Sequence, residues 1–201
     1  MDNINFYKEH FSDICCYEDY LMRVDLMGKK HNDKQVLDSL PKCDNHRYIV
    51  ANGEVIWIND NGELVDTPNI TSISDCAFAY WGGIHRIVIP NGVKKIESRA
   101  FYYCTDLKSV TIPVGVTEIG WHAFDGCSQL ISVTMPDSVD SIRDGAFYNC
   151  RRLTSVTISE GVQSIGDRAF FECGNLKVAR IPYNCVICSF VFPKGCEVIR
   201  Y

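Results

Sequence analysis

The chain lacks a long apolar run. No stretch of its 201 residues approaches the roughly 18 consecutive apolar residues that a transmembrane helix needs. The N-terminus, MDNINFYKEHFSD, carries acidic residues where a secretory signal peptide has a basic start followed by an apolar block. With 46% hydrophobic and 22% charged residues, the composition is that of a folded chain. We therefore predict no membrane span and no signal peptide, and we expect a cytoplasmic location with reduced cysteines.

Positive charge is also scarce. The chain has 20 Lys and Arg against 25 Asp and Glu, a formal charge of −5. This balance gives no general attraction to nucleic acid or to anionic lipid. The acidic excess is confined to residues 1–63, which hold 12 acids and 7 bases. We expect neither a nucleic acid nor a membrane as a direct partner.

Catalytic signatures are missing as well. The sequence has no phosphate-binding loop, HExxH or GxSxG motif, and its histidines are scattered. His122 has Asp125 and Ser128 close by in sequence, on a turn expected to face solvent. Nothing pairs a nucleophile with a base. The sequence predicts a protein without catalytic activity or cofactor.

One group of residues could supply zinc ligands. Cys43 and His46 are three residues apart, with His10, Cys15 and Cys16 upstream. Cys43 and His46 have no second pair of ligands at the spacing that a zinc finger requires. We therefore favour unligated side chains and expect no metal.

What the chain does have is a repeat of 23 residues. Five of its 11 cysteines recur at this interval: Cys104, Cys127, Cys150, Cys173 and Cys196. The pair Ala-Phe recurs in phase, from Ala100-Phe101 to Ala169-Phe170. A period of this length is typical of solenoids. Six units fill residues 64–201.

Each unit predicts a short strand and a turn. In Ser109-Val-Thr-Ile-Pro113, period-2 alternation sends Val110 and Ile112 to one side, and the proline ends the strand. In residues 97–104, Ala100, Phe101 and Cys104 would share one side of a single helical turn. Stacked units bury a continuous core. We predict an α+β solenoid, a right-handed superhelix of short parallel strands and short helical turns.

The periodic cysteines fall on inward positions. We therefore expect small buried thiols that pack as hydrophobic side chains and form no disulfide ladder. By the period, Cys185 replaces Val162 and Cys188 replaces Ile165. Core packing is the favoured interpretation of this pair, ahead of a redox or zinc half-site.

Residues 1–63 do not follow the repeat. Apolar spacing between Asn5 and Leu40 predicts two or three short helices, broken near Gly28. Next, residues 47–58 contain Asn52-Gly53 between two apolar runs, which predicts a β-hairpin. We predict an N-terminal cap, residues 1–63, made of short helices and this hairpin.

The repeated pattern is Ala-Phe-x-x-Cys-x-x-Leu-x-x-Val-x-Ile-Pro-x-x-Val-x-x-Ile-Gly, most regular from Ala100 to Ile181. It resembles the BspA-type class of leucine-rich repeat from residue 64 to about residue 182. The resemblance implies a rigid solenoid that binds another protein and performs no chemistry itself.

Outward positions of the turns carry large aromatic residues. Because stacking places equivalent positions one unit apart, they should form a stripe on one side, a composition typical of binding hot spots. The predicted partner-binding residues are Tyr80, Tyr102, Tyr103, Trp121, Tyr148 and Phe171. Coverage of gaps between turns, or a homodimer contact, is the alternative.

Two other surfaces stay open as candidates. Acids in the N-terminal region could block a basic channel of a nucleic-acid-processing enzyme, which would make the protein a small inhibitor. These acids are Asp13, Glu18, Asp19, Asp25, Asp33 and Asp38. The outward strand positions between Arg86 and Arg180 form a Ser/Thr face that could present hydroxyls to a peptide or a sugar.

Overall fold

A computed structural model describes residues 47–51, 54–58, 64–65, 71–80 and 85–201. These residues contain fifteen β-strands and no helix. The strands are β1 (Arg47–Ala51), β2 (Glu54–Ile58), β3 (Leu64–Val65), β4 (Ser72–Ile73), β5 (Arg86–Val88), β6 (Lys95–Ile96), β7 (Ser109–Thr111), β8 (Glu118–Ile119), β9 (Ser132–Thr134), β10 (Ser141–Ile142), β11 (Ser155–Thr157), β12 (Ser164–Ile165), β13 (Val178–Ile181), β14 (Val186–Ile187) and β15 (Glu197–Arg200).

Two parallel sheets of six strands each form the solenoid. The first sheet has the order β5-β7-β9-β11-β13-β15 and the second the order β4-β6-β8-β10-β12-β14. Each coil of the solenoid, here called a rung, contributes one strand to each sheet. The register follows the 23-residue period, with Ser109 opposite Ser132 and Ile142 opposite Ile165. The predicted parallel solenoid is confirmed, while its right-handed sense stays a prediction.

Alternation along each strand separates the core from the surface. In β7, Val110 is buried while Thr111 is exposed, and the same pattern recurs in β9 and β11. In the second sheet, one isoleucine per strand points inward, from Ile73 to Ile165. Burial of these apolar side chains on stacking is the driving force that one rung alone cannot supply.

Phenylalanines stack in the middle of the core. Phe78, Phe101, Phe124, Phe147 and Phe170 are each fully buried. Neighbouring rings lie 4.8–5.1 Å apart, at interplanar angles of 4–6°. This spacing equals the distance between paired strands, so each ring contacts the equivalent ring of the next rung.

The third side of each rung forms successive turns instead of the predicted helical turn. The Phe101 and Tyr103 N–H groups donate to the carbonyl oxygens of Ala123 and Asp125 on the next rung. The N–H groups between them, of Tyr102 and Cys104, donate three residues back in the same rung. Since alternate amides bond to the neighbouring rung, a helical hydrogen-bond ladder cannot form here.

This turn side needs two left-handed residues in each rung. One column of positive φ contains Cys76, Arg99, His122, Gly145 and Arg168, and a second contains Tyr80, Tyr103, Gly126, Asn149 and Glu172. Positive φ is uncommon outside glycine, so its recurrence at fixed positions shows that rung stacking imposes it.

The last rung is shorter than the others. Glu197 lies opposite Val178 in the first sheet, a step of 19 residues instead of 23. Cys196 therefore precedes β15, at the position that Lys177 holds before β13, and is only partly buried. The expectation that Cys196 continues the cysteine column is wrong, because the period shortens at this rung.

The expectation for Cys188 is also wrong. Ile187 occupies the inward position opposite Ile165, and Cys188 is exposed. Cys185 is buried, as expected.

A separate sheet precedes the solenoid, with the order β1-β2-β3. β1 pairs with β2 in antiparallel register, from Arg47 opposite Ile58 to Ala51 opposite Glu54, which confirms the predicted hairpin strands. Leu64 and Val65 pair with β2. The helices predicted between Asn5 and Leu40 lie outside the described residues, and the boundary at residue 63 stays a prediction. In the described ranges, no helix could cross a membrane.

Candidate functional site

Three tyrosines form a cluster at the start of the turn side. The ring centroid of Tyr80 lies 5.3 Å from that of Tyr102 and 5.7 Å from that of Tyr103. The Tyr102 and Tyr103 centroids are 4.8 Å apart. Tyr80 and Tyr102 meet edge to face, a favoured arrangement for aromatic pairs.

The next rung has no aromatic residue at the corresponding positions. Asp125 and Gly126 stand one period after Tyr102 and Tyr103. A Cβ atom on Gly126 would lie 2.6 Å from the Tyr103 ring, so that ring lies directly over Gly126. The Gly126 N–H donates to the carbonyl oxygen of Tyr148 on the following rung, at 2.9 Å. The Tyr103 ring therefore covers the backbone of the rung that has no aromatic residue at these positions.

A second cluster continues on the later rungs. Tyr148 and Phe171 have ring centroids 6.2 Å apart, and Phe171 lies 6.5 Å from Phe190. Phe190, with an exposed fraction of 67%, was missed by the sequence analysis because the period shortens before it. We call the six residues Tyr80, Tyr102, Tyr103, Tyr148, Phe171 and Phe190 the aromatic stripe.

Trp121 stands apart from this stripe. Its side chain is 52% exposed, and the Arg143 guanidinium lies over its ring at 5.7 Å from the centroid. Within the part of the chain that is described, its ring contacts none of the stripe residues. Five of the six predicted residues thus lie in two clusters, and Trp121 forms a separate cation–π pair.

A buried carboxylate lies beneath the stripe. Asp125 is 6% exposed, and one of its oxygens lies 2.9 Å from His122 Nδ1. Burial raises the pKa of the Asp125 carboxyl, and the hydrogen bond from His122 opposes this rise. Ser128 Oγ donates to the Thr105 carbonyl oxygen instead of to His122. The hydrogen bond between His122 and Asp125 therefore links two residues of the same turn, and Ser128 is not bonded to His122.

The stripe tyrosines keep their protons over a wide pH range. Burial, followed by the negative charge of Asp125, raises the pKa of Tyr102 to about 12. Burial, with Glu172 and Asp125 nearby, also raises the pKa of Tyr148. At neutral pH both side chains present an apolar ring and a neutral hydroxyl, the combination enriched at protein interfaces.

The repeated cysteines act as core residues with a fixed donor. Cys104, Cys127, Cys150 and Cys173 are buried and free, and each thiol donates to a phenylalanine carbonyl oxygen at 2.9–3.3 Å. Burial raises the pKa of the Cys127 thiol well above its usual range. Burial raises the pKa of the Cys150 thiol in the same way, so these two thiols are protonated and unreactive at neutral pH.

Two groups of residues considered above, the possible zinc ligands and the acids of the alternative surface, lie outside the described residues. Among the residues with described positions, no three His, Cys, Asp or Glu side chains could hold a metal ion together. His10, Cys15, Cys16, Cys43 and His46 lie outside the described residues. The six acids of the alternative surface, from Asp13 to Asp38, also lie outside them.

Two parallel sheets, a turn side and a continuous internal phenylalanine stack define the class: a leucine-rich-repeat solenoid. Residues 71–199 match the profile of the BspA type leucine rich repeat region in 6 copies. This match covers more than half of the chain, so the protein belongs to the BspA-type leucine-rich repeat family.

Solved structures support the same class. A leucine-rich repeat protein from Bacteroides ovatus is 27% identical with a TM-score of 0.57, and the alignment covers 79% of this chain and 52% of that chain. A leucine-rich repeat protein of T. pallidum is 27% identical with a TM-score of 0.52, covering 76% of this chain and 64% of that chain. One from Eubacterium ventriosum, at 23% identity and a TM-score of 0.57, covers 71% of this chain and 39% of that chain and shows the fold alone.

The chain thus spans about half to two thirds of the length of the first two of these proteins. No curated protein is similar enough in sequence to count as a relative. Proteins of this repeat family are in general binding modules without catalytic activity, and no catalytic family matches the chain.

Proposed function

We propose that this protein is a non-catalytic interaction module that binds a partner protein through the aromatic stripe. The observation that carries the proposal is the packing of the stripe rings in two clusters, with the Tyr103 ring over Gly126 on the rung between them. A series of partly exposed rings on a rigid repeat scaffold is the composition of a binding hot spot.

The ring orientations favour a protein partner over a flat ligand. Neighbouring rings of the stripe are tilted by 30–89° relative to one another. Tilted rings leave clefts between them, into which apolar side chains of a partner can insert, whereas a sugar face stacks best on a ring lying flat at the surface. The scaffold holds the rings in place, so little side-chain entropy is lost on binding.

The experiment is affinity capture from a lysate of the source organism or its host, followed by titration of the captured protein against purified variants. We expect the triple variant Tyr103→Ser, Tyr148→Ser, Phe171→Ser to bind the partner roughly 100-fold more weakly, since hot-spot residues contribute about 2 kcal/mol each or more and their effects are not additive. A matched control is Val114→Ser, Trp121→Ser, Tyr183→Ser, which removes three exposed apolar side chains outside the stripe.

Equal affinity of the stripe variant and the wild type would contradict the proposal. Thermal melts of both triple variants test whether each is folded. A partner that the stripe variant keeps but that salt releases would move the site to the acids between Asp13 and Asp38, as the inhibitor alternative predicts. Light scattering distinguishes the homodimer alternative, in which the stripe variant would become a monomer.

We also propose a cytoplasmic location. The described cysteines form no disulfide with one another, and four of the buried ones use their S–H groups as donors to carbonyl oxygens. Such thiols suit a reducing compartment.

A further inference from the structure

A second surface lies on the outward side of the first sheet. Its centre carries six hydroxyls in register, which we call the hydroxyl face: Ser109, Thr111, Ser132, Thr134, Ser155 and Thr157. Five of these residues are exposed and Ser109 is half-buried. In residues 71–80 and 85–201, none of the six hydroxyls forms a hydrogen bond to another protein group. The face is therefore a regular array of free donors and acceptors.

Unpaired cations stand at both ends of this array. Arg86 and Lys108 lie at one end, and Lys177 and Arg180 lie at the other. All four are exposed, and none forms an ion pair within the residues that the structure covers. The first-sheet strands β5, β7, β9, β11 and β13, each taken with its preceding residue, contain no acid; the first acid on this sheet is Glu197 on β15.

The second sheet shows the opposite arrangement. Its cations are neutralised locally, since Arg143 Nε lies 2.9 Å from Glu118 and Lys95 Nζ lies 3.9 Å from the same carboxylate. The chain as a whole is acidic, with a formal charge of −5. Among the described residues, the outward cations of the first sheet thus lack the ion pairs that those of the second sheet form.

We propose that the hydroxyl face and its four cations bind an acidic, extended segment of a partner protein. The rungs of Arg86 and Arg180 are four steps apart, or roughly 19 Å at about 4.8 Å a step. An extended chain rises about 3.3 Å a residue, so about six residues cover this distance. Carboxylates at the two ends of such a segment meet the cations, and its polar centre bonds to the serine and threonine hydroxyls.

The distribution of charge argues against a nucleic acid. Each strand of a DNA duplex carries a phosphate about every 3.4 Å along the helix axis. Most of these phosphates would face the neutral Ser/Thr centre of the array, in a chain whose net charge repels them. A protein segment can place its acids at the ends only, and its peptide groups supply partners for the hydroxyls.

This surface is distinct from the aromatic stripe, because strands of the first sheet and the turn side occupy different sides of each rung. The test selects random 12-residue peptides displayed on phage against the wild-type chain. We expect enriched peptides to carry Asp or Glu at two positions about four to six residues apart, with polar residues between them. We expect the variant Arg86→Glu, Arg180→Glu to bind these peptides at least about tenfold more weakly.

A matched control is Lys94→Glu, Lys194→Glu, which changes the net charge equally at two exposed lysines outside the face. We expect this control to weaken binding less than about twofold. A third variant, Tyr103→Ser, Tyr148→Ser, Phe171→Ser, should bind the peptides like the wild type. Because this variant changes the stripe and leaves the hydroxyl face intact, peptide binding by it depends on the present proposal and not on the proposed role of the stripe.

Three results would overturn the proposal. One is a selection that yields no peptides, or peptides without an excess of acids. Another is equal binding of the selected peptides to both charge-reversal variants. The third is tighter binding of a 20-nucleotide oligothymidine or of heparin that is lost in Arg86→Glu, Arg180→Glu, which would assign the face to another class of polyanion.

Discussion

At the scale of the residue, each rung depends on a few inward side chains that repeat in identical surroundings. Phe124 is fully buried, with its ring centroid 4.9 Å from that of Phe101 and 5.1 Å from that of Phe147. Cys127, in the same rung, fills a small space and bonds to the Phe101 carbonyl oxygen. A large and a small residue therefore alternate along the turn side of the core, as close packing requires.

Phe124→Ala tests this packing. We expect the substitution to lower the free energy of unfolding by about 3–5 kcal/mol, because the two neighbouring rings hold their positions and leave a cavity between them. Denaturant titration measures the loss. Phe190→Ala is the control, since Phe190 is mostly exposed and its truncation should cost less than about 1 kcal/mol. Equal losses in the two variants would contradict the inward assignment of Phe124.

At the scale of the element, the turn side decides both the fold of a rung and the course of the stripe. Its alternate amides bond to the next rung, which places one residue of each rung in the left-handed region directly before the alanine and another directly before the cysteine. Gly126 occupies the second of these positions with φ +73°. The Tyr103 ring covers the same glycine, so Gly126 is needed both for its positive φ and for the space that the Tyr103 ring occupies.

Gly126→Ala therefore has two effects. A left-handed alanine costs about 1–2 kcal/mol, partly offset by the lower entropy of the unfolded chain, so we expect a net loss near 1 kcal/mol. The Tyr103 ring must also move, and we expect weaker binding at the stripe. Thermal melts and the partner titration measure the two effects. Gly174→Ala is the matched control, because its Cβ would meet no atom within 4 Å. Equal melting temperatures for the two variants would contradict the predicted strain.

At the scale of the whole molecule, the solenoid is a one-dimensional stack, and its rung of β14 and β15 packs against one other described rung. Ile187 and Val198 are 37% and 40% exposed, while Ile165 and Ala179 in the previous rung are fully buried. Arg200 occupies the inward position opposite Ile181, and its guanidinium bonds to the carbonyl oxygens of Pro182, Tyr183 and Cys185. These bonds satisfy backbone groups that a further rung would otherwise have to satisfy.

Amide hydrogen exchange tests the consequence of this stack. We expect amides of β14 and β15 to exchange at least about tenfold faster than those of β8 and β10, because terminal rungs of repeat proteins open without the rest. Mass spectrometry of peptic fragments resolves the rungs. Uniform protection along the chain would show instead that the last rung is covered by a second copy or opens only with the whole solenoid.

Some features could be predicted from the sequence because they depend only on period and alternation. The 23-residue interval and the Val-x-Ile pattern predict parallel strands and an inward phenylalanine column, and Asn52-Gly53 predicts the hairpin strands. The strand pattern recurs in one repeat after another, and the hairpin signal lies within a few consecutive residues, so neither prediction needs long-range contacts. The ring contacts among Tyr80, Tyr102 and Tyr103, and between Tyr148 and Phe171, follow from outward residues that keep the same phase as the core, while their role in binding stays a prediction.

Other features required the contacts between rungs. Apolar spacing in residues 97–104 fits a helical turn equally well, and only the hydrogen bonds to the neighbouring rung decide against it. The shortened last rung moves Cys188 and Cys196 off the core positions that the period predicts and brings Phe190 onto the stripe.

The periodic sequence by itself determined the repeat, the class of fold and the inward residues, because burial of one apolar face recurs at a fixed interval. The tertiary structure decided which outward side chains lie together and which charges are paired. Trp121 joins Arg143 instead of the stripe. Glu118 pairs with cations of the second sheet, while Arg86 and Arg180 form no ion pair with another described residue. These pairings depend on distances across neighbouring rungs, which a periodic sequence does not contain.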